Sequence, residues 1–184
     1  MKREIKSVAV YCGHEFGNDP QFTRDAAKIG ELLARNNIKL IFGGGNVGLM
    51  GTVCNAALDN GGAVLGVSTT HIIARQEPAH TGIELRMTDS INSRKTEMFN
   101  ESDAFIILPG GLGTLNELTD IMTMQQIGET KKPLYFLDTN HFWHPFSRLF
   151  IHMQECGFIE NVHSYNIHAA KTPDELIKKL LQQK

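Results

Sequence analysis

A chain of 184 residues, 41% hydrophobic and 21% charged, has the make-up of an ordinary globular protein and enough length for one domain with its own core. Its formal net charge of −2 supplies no global field toward nucleic acid or an anionic membrane. Phosphate-bearing small molecules are still compatible, because they need only a local site.

Short β-branched runs alternate with helical patterns along the chain. "KSVAVYC" (6–12) reads as a first buried strand. In "DPQFTRDAAKIGELLARNN", Asp19 fits an N-cap and Pro20 the first helical position. Phe22, Ala26, Ile29 and Leu33 fall on one face of that helix. "IKLIF" (38–42) is a second strand, and "GGGNVGLMG" leads into a helix ending near Asn60-Gly61. "AVLGV" (63–67) and "IELRM" (83–87) follow as strands, then a helix from about Ser90 to Glu101. "AFIIL" (104–108) is a fifth strand, "PGGLGT" opens the next helix, and "PLYFL" (133–137) is a sixth strand. The remainder reads as helix, a short strand near "YNIHAA" and a last helix "TPDELIKKLLQQ". This alternation predicts an α/β fold over residues 1–184 as a single domain, doubly wound, with helices on both faces of a mainly parallel sheet. The nearly continuous apolar strands agree with burial on both faces.

No stretch approaches the roughly 18 apolar residues of a membrane span, so no membrane association is expected. The apolar run after the basic start is too short for a signal peptide. Cys12, Cys54 and Cys156 are odd in number, far apart and without a CxxC pair. They argue against a disulfide scaffold and fit a cytoplasmic setting. His141 and His144 are spaced i, i+3, but no third ligand is evident, so no metal site is expected.

Ligands of open parallel sheets sit outside the carboxyl ends of the strands. Four unusual loops follow strands directly: 12–17, 43–51, 89–95 and 109–114. All four are therefore expected on one edge, with His14 in the first of them able to touch substrate. Gly43, Gly45 and Gly48 match G-x-G-x-x-G, and Gly44 adds a third consecutive glycine. A dinucleotide site would also need an acid ending the next strand, which instead reads "LGVSTT". No lysine follows, so the loop is not a nucleoside-triphosphate P-loop. Close backbone approach to a ligand and a tight strand-to-helix turn both remain open for these glycines. Gly110, Gly111, Gly113 and Thr114 form a second glycine loop at a helix start, where amides and the helix dipole favour an anion. Thr114-x-x-Glu117 also fits a capping box, leaving Glu117 as either a cap or a catalytic group. Arg94 and Lys95 lie about one turn into a helix, against its dipole, as expected of cations that face a negative ligand.

Together "GGGNVGLMG", "SRK" and "PGGLGTLNE" resemble the LOG family, phosphoribohydrolases of nucleoside 5'-monophosphates that release cytokinin bases. The resemblance runs from about residue 7 to 137 and includes "YCG" and "QQIGETKKP". That family has also been labelled possible lysine decarboxylase, but nothing in the chain supports pyridoxal chemistry. The resemblance implies a Rossmann-like homodimer that cleaves the N-glycosidic bond of AMP-like nucleotides, without metal or organic cofactor. It implies Arg94 and Glu117 as the catalytic pair and Gly110, Gly111, Gly113 and Thr114 as the phosphate loop. Gly43, Gly44, Gly45, Gly48, Lys95 and His14 complete the expected substrate site. The chain departs from the family pattern at Ile91, Asn92, Asn116, Thr69, His14 and Met124. A non-catalytic carrier of a nucleotide or phosphorylated cofactor, built on the same fold, is the alternative.

Overall fold

The computed structural model describes residues 4–74 and 82–182. The start of the chain up to residue 3 and Gln183 of the last expected helix lie outside the described residues. Seven strands form one sheet: β1 (Ser7–Tyr11), β2 (Lys39–Phe42), β3 (Val64–Thr69), β4 (Glu84–Thr88), β5 (Ala104–Ile107), β6 (Leu134–Leu137) and β7 (Ile167–Ala170). Among the described residues the α-helices are α1 (Pro20–Arg35), α2 (Gly48–Asp59), α3 (Thr70–Ile73), α4 (Ile91–Glu101), α5 (Leu112–Gln126), α6 (His144–Glu155) and α7 (Pro173–Leu181). Every strand pairing among the described residues is parallel.

The sheet order is β4-β3-β2-β1-β5-β6-β7. The chain winds outward from β1 in one direction and then returns to β5 on the other side. The reversal lies between β1 and β5, the place where such sheets open a crevice for ligand. Registers Val10↔Ile106 and Tyr11↔Ile107 hold these two strands side by side up to their carboxyl ends.

Alternation along β1 divides the core. Val8 and Val10 face a cluster with Ile29, Leu33, Val53, Leu176 and Ile177, so α1, α2 and α7 cover that side. Ala9 and Tyr11 face Met98, Leu118, Ile121 and Met122, so α4 and α5 cover the other. Local signals set the helix starts. Asp19 accepts a hydrogen bond from the Gln21 amide at 2.8 Å, with Pro20 at the first helical position. Phe22, Ala26, Ile29 and Leu33 are all buried, as the 3.6-residue spacing predicts. The four-residue helix α3 and the 3-10 turns at 139–141 and 162–164 carry no periodic signal and were not expected from sequence. No described helix is long and apolar enough to cross a membrane.

Candidate active site

The loop after β1 and the loop after β5 meet at the switch point. The Gly13 amide donates to the Pro109 carbonyl at 3.0 Å. The Met50 amide, in the first turn of α2, donates to the Gly13 carbonyl at 3.3 Å. One hydrogen-bonded seam thus ties three of the four expected loops together.

The two glycine loops differ in what surrounds them. Gly43, Gly44, Gly45 and Gly48 are buried. A β-carbon on Gly43 would overlap the Arg94 guanidinium and lie 3.0 Å from Met50 Sδ. Gly48 has a φ of +61°, and a β-carbon there would collide with the His14 carbonyl. Close backbone approach is therefore required here, but the atoms approached belong to the protein itself. By contrast, Gly111 and Gly113 are exposed, and a β-carbon on either would meet nothing within 4 Å. Gly110 sits over the Thr114 side chain, which is buried.

Helix α5 begins with Gly111 as its N-cap and no side-chain cap. Its first amides are thus left for water or an anion. The capping-box reading of Thr114 and Glu117 does not hold. Thr114 lies inside the helix at the third position, and Glu117 lies a turn further on, beyond reach of the cap. The capping box of this region is on α4 instead. Ser90 Oγ accepts from the Ser93 amide at 3.1 Å, and the Ser90 amide donates to Ser93 Oγ at 3.0 Å.

That box sets the phase of α4 so that Arg94 turns inward. Its Nε donates to the Val67 carbonyl of β3 at 2.9 Å. Its Nη1 donates to Glu117 Oε1, also at 2.9 Å. Arg94 and Glu117 are only 10% and 12% exposed along their side chains, so this is a largely buried ion pair. Burial raises the carboxyl pKa of Glu117 above its ordinary value, against the opposing pull of the Arg94 charge. A carboxylate that is partly desolvated yet kept in place by one charged donor is suited to meeting a developing positive charge.

Lys95, next in sequence, also reaches α5. Its Nζ lies 2.5 Å from Asp120 Oδ2 and donates to Asn116 Oδ1 at 3.1 Å. Glu117, Lys95, Asp120, Tyr11, Phe99 and Met124 line a cavity of about 520 Å³ between α4 and α5. That volume is in the range of small-ligand sites. Tyr11 reads in sequence as strand core and was missed. It is the last residue of β1 and faces the α4–α5 side. Its hydroxyl pKa is pushed up by burial and then by the Glu117 charge. His14 lies apart from this cavity, against a smaller one of about 250 Å³ that Gly110, Gly111 and Phe142 also line. The structure thus brings together Arg94, Glu117 and Lys95, puts His14 beside the α5 glycine loop, and folds Gly43 to Gly48 behind Arg94.

The model of the family described as possible lysine decarboxylase matches residues 50–180. The chain is 40% identical over 155 residues to the cytokinin riboside 5'-monophosphate phosphoribohydrolase of Rhodococcoides fascians, covering 84% of this chain and 78% of that protein. It is 36% identical over 180 residues to a cytokinin riboside 5'-monophosphate phosphoribohydrolase of Arabidopsis thaliana, covering 98% and 84%. Among solved structures, the molybdenum cofactor binding protein of Rippkaea orientalis matches with a TM-score of 0.70 at 23% identity, covering 98% and 97%. The molybdenum cofactor carrier protein of Chlamydomonas reinhardtii matches at 0.71 and 18%, covering 98% of each chain. These two likenesses show a shared fold.

Proposed function

The chain belongs to the LOG family, and from that premise we propose that it hydrolyses the N-glycosidic bond of nucleoside 5'-monophosphates, giving free base and ribose 5-phosphate. The observation that carries the reading is the Arg94–Glu117 pair, set one helical turn beyond an open glycine loop. The names of the relatives support the reaction class.

In this account the 5'-phosphate rests on the amides from Gly111 to Thr114, where the α5 dipole favours an anion. Glu117 follows Thr114 by three residues, roughly 4.5 Å along the helix axis. A carboxylate at that offset addresses the ribose rather than the phosphate. Bond cleavage leaves positive charge on the ribose ring, and Glu117 stabilises it and aligns a water for attack at C1'. Glycoside hydrolases use carboxylates in related ways. Arg94 acts through Glu117: bound to Val67 and to the carboxylate, it fixes the rotamer, and its charge opposes the upward push of burial on the carboxyl pKa. Phosphate binding remote from the reacting bond is spent on orientation. The cavity with Tyr11 and Phe99 offers an apolar, aromatic wall for a base.

On the same premise we propose that the chain forms a homodimer. Ile91 and Leu112, in the first turns of α4 and α5, are 54% and 85% exposed. They offer a second copy apolar surface to cover. Light scattering should return twice the 20.5 kDa of one chain.

Chromatography of the protein incubated with AMP, IMP, GMP and CMP tests the reaction. Release of free base from at least one nucleotide is expected. Tight binding of a nucleotide without any base release would replace the hydrolase with a carrier.

A further inference from the structure

Outside the nucleotide site, the turn after β6 gathers three metal-ligating side chains. Asp138 Oδ2 lies 3.1 Å from His144 Nε2 and 3.7 Å from His141 Nδ1. The two ring nitrogens are 3.1 Å apart. Among the described residues this is the one group of three His, Cys, Asp or Glu side chains whose donor atoms come this close together. Sequence spacing showed the two histidines but not Asp138, because a turn is needed to bring the carboxylate beside them.

The triangle has the size of a coordination face. Tetrahedral zinc, with bonds of about 2.0–2.1 Å, separates neighbouring donors by about 3.3 Å. The observed edges of 3.1, 3.1 and 3.7 Å bracket that value. A triangle with these edges has a circumradius of about 1.9 Å, so a point about 2.1 Å from all three atoms exists just above its plane. Two imidazole nitrogens and one carboxylate oxygen suit zinc and its neighbours in the first transition row rather than magnesium or calcium. Both histidine side chains are more than half exposed, which leaves a fourth position open to water.

The turn is held in this shape by groups that do not ligate. Asn140 and His141 have φ values of 49° and 64°, two consecutive non-glycine residues in the left-handed region. That costly conformation folds the His141 ring back over Asp138. Asn140 Nδ2 donates to Asp19 Oδ2 at 2.6 Å, and Thr139 Oγ1 donates to the buried Asp25 carboxylate at 2.5 Å. Asp19 caps α1 and Asp25 lies in its second turn. The Trp143 amide donates to Asp138 Oδ1 at 2.8 Å, which orients the carboxylate and leaves Oδ2 directed at the rings.

We propose that Asp138, His141 and His144 form a binding site for a divalent transition cation, zinc foremost, with three protein ligands and one open position. The site clamps the end of β6 to the first turn of α6. It stands independently of the nucleotide reading, since none of its residues belongs to the Arg94–Glu117 site.

The test uses the full chain without a tag and with Cys156→Ser. Cys156 is exposed, with Sγ 3.6 Å from His152 Nε2, and is the rival metal ligand to remove. Cobalt(II) is titrated by visible absorption and zinc(II) by calorimetry. One equivalent per chain is expected, with a cobalt spectrum free of sulfur charge transfer. His141→Ala and His144→Ala should each weaken binding by about tenfold or more, in line with the sensitivity of metal sites to lost ligands and supports. The double variant should not bind stoichiometrically. Zinc should raise the thermal midpoint of the Cys156→Ser protein and not that of the double variant. No stoichiometric binding, or equal affinity in the double variant, would overturn the proposal and leave the trio as a hydrogen-bonded cluster.

Discussion

The molecule carries two glycine-rich loops, each between a strand end and a helix start, and they have opposite characters. The loop from Gly43 to Gly48 is filled from within. Its missing side chains make room for the Arg94 guanidinium and the His14 carbonyl, and the α2 amide of Met50 is taken by Gly13. The loop from Gly110 to Gly113 is open to solvent at Gly111 and Gly113, and its helix has no side-chain cap. Glycine therefore serves packing in one loop and access in the other. A glycine motif alone does not distinguish these uses; the distinction is whether the protein's own atoms occupy the space.

The comparison can be broken in several ways, beginning with the largest effect. Glu117→Gln should lower nucleotide turnover by about 10²–10³-fold, equivalent to about 2.7–4 kcal/mol of transition-state stabilisation. Circular dichroism should show the fold retained, and turnover near wild type would remove Glu117 from the reaction.

Gly48→Ala should strike stability rather than chemistry. It forces a β-carbon against backbone at positive φ, costing on the order of 3 kcal/mol. For a domain of this size that lowers the thermal midpoint by roughly 6–12 °C. An unchanged midpoint would show that the first loop is not filled as described.

The Glu117 carboxyl should titrate above the ordinary glutamate value near 4.3, because burial outweighs the Arg94 charge. Glu84 and Glu175 should titrate below it, held down first by hydrogen bonds from Arg86 and Lys179 respectively. Carbon-13 NMR of the side-chain carboxyls reads all three. A Glu117 midpoint at or below those of Glu84 and Glu175 would mean that the Arg94 charge outweighs burial.

The smallest effect is expected at Gly113→Ala. The added methyl meets nothing, and alanine favours a helix by about 0.5–1 kcal/mol, so the midpoint should hold or rise slightly. Gly113 lies among the amides proposed for phosphate, so crowding there should raise KM severalfold. Opposite stability signs at Gly48 and Gly113 would sharpen the contrast between the loops.

Much of this architecture was readable from local pattern. All seven strands, the Asp19 cap and the buried face of α1 follow from period and turn chemistry, which act within a few residues. The start of α4 at Ser90 was also placed, although the Ser90–Ser93 box that fixes it was not. Contacts between elements were less legible. Arg94 and Glu117 were each singled out, yet their bond spans 23 residues and depends on how α4 and α5 pack over β3 and β1. The same packing puts Tyr11, an ordinary strand residue by pattern, beside the carboxylate. Asp138 lies beside its two histidines in a turn where Asn140 and His141 adopt left-handed backbone, a conformation open to these residue types but not located by sequence spacing.

The central claim is that phosphate binds the open loop and not the filled one. Titrating the nitrogen-15-labelled protein with ribose 5-phosphate tests it directly, by following the backbone amide resonances. The account predicts saturable shifts at Gly111, Gly113 and Thr114, with those of Gly43, Gly44 and Gly45 small by comparison. Shifts concentrated at Gly43 to Gly48, with Gly111 and Gly113 unmoved, would contradict it.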